Sequence, residues 1–308
     1  MSPMLQDFVS YIGQLEVYEK SVEILDKLVG VSLSAMQVNK VTDFYGESCG
    51  GEALLQPVLG EVKKQEKLYV EVDGSMLFTR DAGWKEVKVG RVFKESDYVA
   101  SQRSNAGWIR HSQYIAHLGE HKDFTQKMDP LLDNYNVAAS QFVIVSDGAS
   151  WIQNWQQDAF ADATFILDFY HAKSHLYNFT AVAFTDKKKG QQWAERQCKL
   201  LLESKVKIVI RNIIKVAKNT SIQQATALTR YYQNNATRMD YKKYRSLGIG
   251  IIGSGAVEAA HRSLVQKRCK LSGQRWSIKG AQNILNLKAT YLNEDWKRVI
   301  CMTKKIAA

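Results

Sequence analysis

Apolar residues recur at helical spacing through the first part of the chain. The positions that carry this pattern are Phe8, Ile12, Leu15, Val22, Leu25, Leu28 and Val29. The following segment, 30–47, predicts a turn and another helix. Its polar residues Gln37, Asn39 and Lys40 fit the second helix of a helix-turn-helix, but an ordinary helical hairpin is the commoner outcome of such a pattern. We therefore expect a helical N-terminal segment over residues 1–57.

Alternating apolar and polar positions begin at Lys67 and predict a strand. Leu68, Val70 and Val72 share one face, while the other face ends in the carboxylate Asp73. A polar turn at 81–83 separates this strand from a second one, predicted over 84–93. A weaker third strand is predicted over 98–101, and the three strands together would form an antiparallel meander.

Two short apolar runs further along predict buried parallel strands. Residues 112–136 read as helical around a break at Pro130. The run 142–145 then leads into Asp147, and the run 165–167 leads into Asp168. A helix predicted over 149–161 lies between these runs, as a parallel connection requires.

Residues 178–246 are polar and charged, lack strand patterns and predict a helical insertion. After a glycine-rich stretch, further helices are predicted over 256–265 and 279–300. The predicted fold class is α/β, a mixed sheet flanked by helices. The predicted divisions are the N-terminal segment 1–57, a core in two parts, 65–177 and 247–300, and the insertion 178–246 between them.

The charge of the chain favours a polyanionic partner. Forty-two Lys and Arg against thirty-one Asp and Glu give a formal charge of +11. Double-stranded DNA is the first candidate, because neutralising phosphates releases counterions. The four cysteines are widely spaced, which favours a reducing compartment over a disulfide framework or a zinc finger. With no secretion signal and no apolar run long enough to span a bilayer, we expect a cytoplasmic, nucleoid-associated protein with no membrane contact.

Three acidic residues stand where a sheet and a helix could bring them together. Asp73 and Asp147 follow predicted strands, and Glu258 begins the helix after the glycines. Taken singly, the first two are as easily turn residues and the third a first-turn acid that favours the helix dipole. Together they form a set of hard oxygen ligands suited to two divalent cations, which catalyse phosphodiester displacement.

Four segments carry a family resemblance. They are 69–76, 83–90, Ser146-Asp147-Gly148-Ala149 and Gly253-Ser254-Gly255-Ala256-Val257-Glu258. In this order they resemble insertion-sequence transposases of the ISKra4 type, and more broadly the bacterial and Mutator-like transposases that have a helical insert before the last acid. The resemblance covers residues 65–295.

The resemblance implies a ribonuclease H-like fold and a DDE transposase. Its metal ligands would be Asp73, Asp147 and Glu258, holding two Mg²⁺ or Mn²⁺ ions. The family's motif of an acid or Cys followed three positions later by His matches Asp168 and His171. That match assigns His171 a catalytic role, orienting a phosphate or a carboxylate, and Asp168 a supporting role, with a core histidine as the plain alternative. A homodimer on DNA is expected because two element ends are joined in one reaction.

Basic residues after Glu258 form a candidate DNA-contacting segment, together with an aromatic residue suited to stacking on a base. The members are Arg262, Lys267, Arg268, Lys270, Arg275 and Trp276. Lys85 and Lys88 on the second predicted strand are expected to face the same cleft. A solvated basic face is the alternative interpretation.

Two alternatives to a transposase remain open at this point. One is a ribonuclease H-like nuclease that cuts without joining. The other is an inactive, truncated remnant that only binds DNA, since transposases of this type usually have a longer N-terminal region than the 65 residues that precede the first strand here. The presence of all three acids favours an active enzyme.

Overall fold

The computed structural model describes residues 1–50, 56–100, 107–217, 221–253 and 255–307. Ser101, the predicted end of the third strand, and Ser254 in the glycine-rich segment lie outside the described residues. The chain has an α/β fold and divides into two compact units, one made of residues 1–141 with 256–308 and the other of 142–255. No helix within the described residues is long and apolar enough to cross a bilayer.

The first unit begins with three helices, α1 (Pro3–Leu15), α2 (Tyr18–Val29) and α3 (Ala35–Ser48). Ser2 caps α1 and is followed by Pro at the first helical position, where its missing N–H costs nothing. Ser34 and Gln37 form a reciprocal capping box at α3. The predicted N-terminal helices are thus confirmed, and α3 packs against α1, α2 and the later helix α13 (Ile278–Leu292).

An antiparallel hairpin forms the centre of the first unit. Strands β1 (Leu68–Thr79) and β2 (Gly83–Lys94) pair along their whole length, as the alternation predicts. Gly83, at φ +66°, allows the tight turn between them. The predicted third strand forms as β3 (Tyr98–Ala100), but the predicted meander is wrong, because β3 pairs with β4 (Gly107–Ile109) in a separate small sheet.

The third strand on the hairpin is β5 (Gln113–Leu118), which pairs antiparallel with β2. The helix predicted over 112–136 is therefore wrong in its first part, since the helix α4 covers only His121–Asn134. The predicted break is also wrong, because α4 continues through Pro130. The pairing with β2 outweighs the local helical pattern of this segment.

The C-terminal helices close the core of the first unit. The helix α11 (Gly255–His261) continues as a π-helical turn, Arg262–Gln266, and then as α12 (Lys267–Cys269). Apolar residues of this rod and of α13 pack on the hairpin face formed by Leu77, Val87 and Val89. The predicted tail helix is two helices, α13 and α14 (Lys297–Ala307), separated by Glu294 at φ +58°.

The second unit is built on a parallel pair of strands, β6 (Phe142–Ser146) and β7 (Thr164–Leu167), as predicted. The helix α5 (Ser150–Ala159) connects them. The helices that follow β7 are α6 (Phe169–Ala183), α7 (Lys187–Leu202), α8 (Val206–Val216), α9 (Ile222–Asn234) and α10 (Tyr241–Ser246). The predicted helical insertion lies within this unit.

Candidate active site

Asp73 lies within β1 rather than at its end. Its strand partner is Val89 of β2, and β1 continues to Thr79, so the prediction of a strand that ends in this carboxylate is wrong. One carboxylate oxygen accepts a hydrogen bond of 2.9 Å from the N–H of Gly74. The side chain is 28% exposed. Asp73 is therefore anchored in the sheet while its carboxylate still reaches solvent.

His261, on α11, is the group packed against Asp73. Its Nδ1 shares a hydrogen bond of 3.0 Å with the Ser75 hydroxyl, and its Nε2 lies 3.5 Å from an Asp73 carboxylate oxygen. Burial lowers the pKa of His261 to about 4, so the ring is neutral at physiological pH. A neutral ring forms no ion pair with the Asp73 carboxylate.

Two buried charged residues hold the start of α11 against the sheet. Glu71 and Arg91 are cross-strand partners in β1 and β2. The Glu71 carboxylate accepts a hydrogen bond of 2.7 Å from the N–H of Val257, and Arg91 donates one of 2.6 Å to the carbonyl of Ala256. These two backbone groups immediately precede Glu258, whose side chain is exposed. The contacts fix the backbone from which Glu258 projects.

Sequence reasoning missed His261, Glu71 and Arg91. A signal for His261 was present, since it lies three residues after Glu258 and thus near the same side of the helix. In the sequence, Glu71 is one polar position of an alternating strand. Nothing in the pattern distinguishes a charged side chain that faces a helix terminus from one that faces solvent.

In the second unit, Asp147 and Asp168 follow the ends of the paired strands β6 and β7. An Asp147 carboxylate oxygen accepts a hydrogen bond of 2.9 Å from the N–H of Ala149, across Gly148 at φ +84°. Asp168 is buried and caps α6 by accepting one of 2.7 Å from the N–H of Tyr170. Asp168 is thus the N-cap of α6, and its supporting role beside His171 stays a prediction.

Three rings stand close together in the second unit, at the loop that carries Asp147. The ring centroids of His171 and His175 are 4.8 Å apart, and those of His175 and Tyr231 are 4.6 Å apart. The Tyr231 hydroxyl donates a hydrogen bond of 2.8 Å to the carbonyl of Asp147. Burial, together with the neighbouring His171, lowers the pKa of His175, and the Asp147 charge opposes this shift. The hydrogen bond from Tyr231 links the helix α9 to the loop after β6.

The structure therefore places Asp73 and Glu258 in the first unit and Asp147, Asp168 and His171 in the second. The convergence of Asp147 with the other two acids stays a prediction. Within the described ranges, no group of three or more His, Cys, Asp or Glu side chains is arranged to hold a metal ion. The donor type still suits the expected ions, because carboxylates are the hard oxygen ligands that Mg²⁺ and Mn²⁺ prefer.

Three of the residues expected to contact DNA, Lys88, Arg268 and Trp276, are buried rather than exposed on a surface. Lys88 donates a hydrogen bond of 2.6 Å to the carbonyl of Gly119 and pairs with Glu86 at 2.7 Å. Trp276 packs in the hydrophobic core. Arg268 is 1% exposed. Lys88 and Arg268 donate hydrogen bonds to backbone carbonyls inside the protein, and the Trp276 ring packs against apolar residues.

The remaining basic candidates are accessible. Lys85 is partly exposed, and the exposed ones are Arg262, Lys267, Lys270 and Arg275. Partial burial lowers the pKa of Lys270, and the Asp73 carboxylate is among the charges that oppose this shift. Lys270 is thus a basic candidate whose charge is close enough to affect, and be affected by, the Asp73 carboxylate.

A family model, described as "Uncharacterised protein family (UPF0236)", matches residues 6–305. The match spans both units and nearly the whole chain, so the chain belongs to this family. A search of curated proteins returned no match.

Proposed function

We propose that this member of the UPF0236 family is the catalytic core of a DDE transposase with a ribonuclease H-like fold, which cuts and joins DNA. The observation that carries the proposal is the docking of α11 on β1. Contacts to Glu71, Arg91 and Asp73 hold the helix that bears Glu258 against the strand that bears Asp73. Two acids far apart in sequence thus belong to one joined substructure.

Asp73, Asp147 and Glu258 would hold two Mg²⁺ or Mn²⁺ ions. Such ions activate the attacking oxygen and stabilise the leaving oxygen in phosphodiester displacement. Asp147 fits this role because it follows a fully buried strand and is held by two hydrogen bonds, one from the N–H of Ala149 to its carboxylate and one from the Tyr231 hydroxyl to its carbonyl. Fixed ligands lower the cost of assembling a charged site.

The residues around the acids have separate tasks in this proposal. His261 positions Asp73 and excludes water from one side of it, and it stays neutral so that it does not compete with a cation. Lys270 and Arg262 are accessible cations that would hold the DNA backbone near the first acid. His171 would orient a phosphate beside Asp147.

The test is a nicking assay on supercoiled plasmid in Mn²⁺ or Mg²⁺, with Asp73→Asn, Asp147→Asn and Glu258→Gln. Each substitution keeps size but removes a metal-binding charge, so we expect nicking to fall by about a hundredfold or more. The control is Asp133→Asn, which removes an exposed acid on α4. Cleavage by Asp73→Asn at the wild-type rate would refute the assignment.

Joining is measured separately, with pre-cut DNA ends taken from the flanks of the reading frame and a plasmid target. A transposase joins the 3′ hydroxyl of these ends to the plasmid, and the same three substitutions abolish joining. Nicking without joining would identify a nuclease of the same chemistry. DNA binding without either reaction would identify a remnant that only binds DNA.

A further inference from the structure

A polar pocket of about 490 Å³ lies in the first unit, beside the first turns of α2 and α13. The side chains that matter for its chemistry are Tyr18, Arg80, Arg268, Arg275, Trp276 and Lys279. None of the three acids assigned to catalysis lines it. The pocket is large enough for a nucleotide-sized group.

Arg268 is a buried cation that has no carboxylate partner among the residues that the structure describes. Its guanidinium lies 4.7 Å from the centroid of the Tyr18 ring and 4.9 Å from that of Trp276. Its Nε donates a hydrogen bond of 3.1 Å to the carbonyl of Gly13, while Nη2 has no acceptor among the described residues. Within those residues, no carboxylate oxygen pairs with it at 4.0 Å or less. The two rings compensate part of the cost of burying this charge.

The rim of the pocket adds more positive charge. Arg80, Arg275 and Lys279 are exposed there, so with Arg268 the pocket carries four cations against two carboxylates, Glu19 and Asp43. Lys279 is paired with Glu47 at 2.8 Å, and Asp43 accepts a hydrogen bond of 2.7 Å from the neutral amide of Asn283. The cations outside the pair of Lys279 with Glu47 are Arg80, Arg268 and Arg275, which outnumber the two carboxylates of the lining by one.

The first turn of α13 also lines the pocket. Its N-cap is Ser277, and Gly280 and Lys279 belong to the turn that follows. The N-terminus of a helix of this length carries a partial positive charge that attracts anions. That terminus already holds an anion, because the Asp81 carboxylate accepts a shared hydrogen bond of 3.1 and 3.2 Å from the N–H of Ile278, so the attraction for a ligand in the pocket comes from the side chains.

We propose that this pocket binds a backbone phosphate of a nucleic acid strand. Arg80, Arg275 and Lys279 would contact the phosphate oxygens directly, and Arg268 would supply the charge beneath them. Arginine matches phosphate well because its planar group donates two hydrogen bonds in parallel. The site is separate from the proposed catalytic acids and places part of the nucleic acid path on the side of the N-terminal helices.

The main test compares DNA binding over a salt titration, by fluorescence anisotropy of a labelled duplex without divalent metal. Arg268 contributes to packing, so the variant changes the rim, Arg275→Gln with Lys279→Gln. Two lost phosphate contacts should reduce the slope of log affinity against log salt by about two. The control, Lys304→Gln with Lys305→Gln, removes the same charge from exposed positions on α14 and should leave the slope unchanged. An unchanged slope in the rim variant, or an equal change in the control, would overturn the proposal.

A second measurement separates a strand phosphate from a small phosphate ligand. Inorganic phosphate, exchanged for chloride at constant ionic strength, should raise the melting midpoint of the wild type and not that of the rim variant. An equal rise in both proteins would overturn the pocket as the site. A rise confined to the wild type, combined with an unchanged DNA slope, would overturn the assignment to nucleic acid. Because no metal is present, these outcomes are independent of whether the three acids catalyse cleavage.

Discussion

Replacing Arg91 by Met removes the guanidinium that links β2 to the backbone just before Glu258. Arg91 is buried and donates hydrogen bonds to the Ser112 hydroxyl at 2.9 Å and to the Ala256 carbonyl at 2.6 Å, and it lies 5.3 Å from the centroid of the Tyr114 ring. A hydrogen bond from a charged donor contributes about 1.5 to 3 kcal/mol. The substitution also removes the free-energy cost of burying a charged group, and this offsets part of the loss. We expect the free energy of unfolding to fall by about 3 kcal/mol.

The loss should be concentrated at α11. Hydrogen exchange followed by mass spectrometry on peptides that cover 255–269 measures the local opening of this helix, while urea unfolding measures the global free energy. We expect amides of α11 to exchange about 10 to 100 times faster in Arg91→Met, since about 1.4 kcal/mol of local stability corresponds to a factor of ten.

Ser112→Ala is the matched control, because it removes one of the two hydrogen-bond partners of Arg91 and leaves the contact with Ala256 intact. It should cost about 1 kcal/mol and change exchange at α11 by less than a factor of about five. If both variants speed exchange of α11 equally, the Ala256 contact does not hold the helix. The account of how Glu258 is positioned would then be wrong.

The remaining predictions concern pH, metal and thiol chemistry. Burial lowers the pKa of His117 from 6.5 to about 4, so the unfolded state takes up a proton first and the free energy of unfolding falls as the pH drops from 6.5 towards 4. Over this range, His117→Gln should lose about 2 kcal/mol less of that free energy than the wild type in urea unfolding. Equal losses in the two proteins would refute this. Tyr231→Phe removes the hydroxyl donor to the Asp147 carbonyl and should weaken Mn²⁺ binding by a few-fold, as measured by calorimetry. Unchanged binding would show that this hydrogen bond does not position the loop. Burial raises the pKa of Cys269 to about 11, so iodoacetamide should modify the exposed Cys301 in the native protein and Cys269 upon unfolding.

Period-two alternation and short apolar runs predicted the strands that matter most. The hairpin of β1 and β2 follows from alternating residues on either side of a polar turn, and the parallel pair follows from two runs of buried apolar residues. The segment that forms β5 was wrongly predicted as helix. Its strand conformation depends on pairing with β2, a contact distant in sequence that no local pattern contains.

The three acids were selected from the sequence, and their role as one site stays a prediction, whereas their surroundings could not be predicted. Asp147 follows a strand and Glu258 lies in the first turn of a helix, as the sequence indicates, while Asp73 lies inside its strand. Composition could not show that the side chains of Lys88 and Arg268 are buried, because it does not indicate whether a basic side chain contacts solvent, a carbonyl or an aromatic ring. Burial of a charge is decided by tertiary partners, which only the fold reveals.

The π-helical turn Arg262–Gln266 allows the continuous helix from α11 to α12 to contact both the sheet and the N-terminal helices. In an uninterrupted α-helix, residues seven apart lie on the same side, so His261 and Arg268 would point alike. A π-turn holds one extra residue and rotates everything after it by roughly 100°. His261 can thus meet Ser75 while Arg268 meets Gly13. Deleting a single residue from this turn would bring the downstream half back into phase with the upstream half and turn Arg268 away from Gly13, whichever residue were chosen.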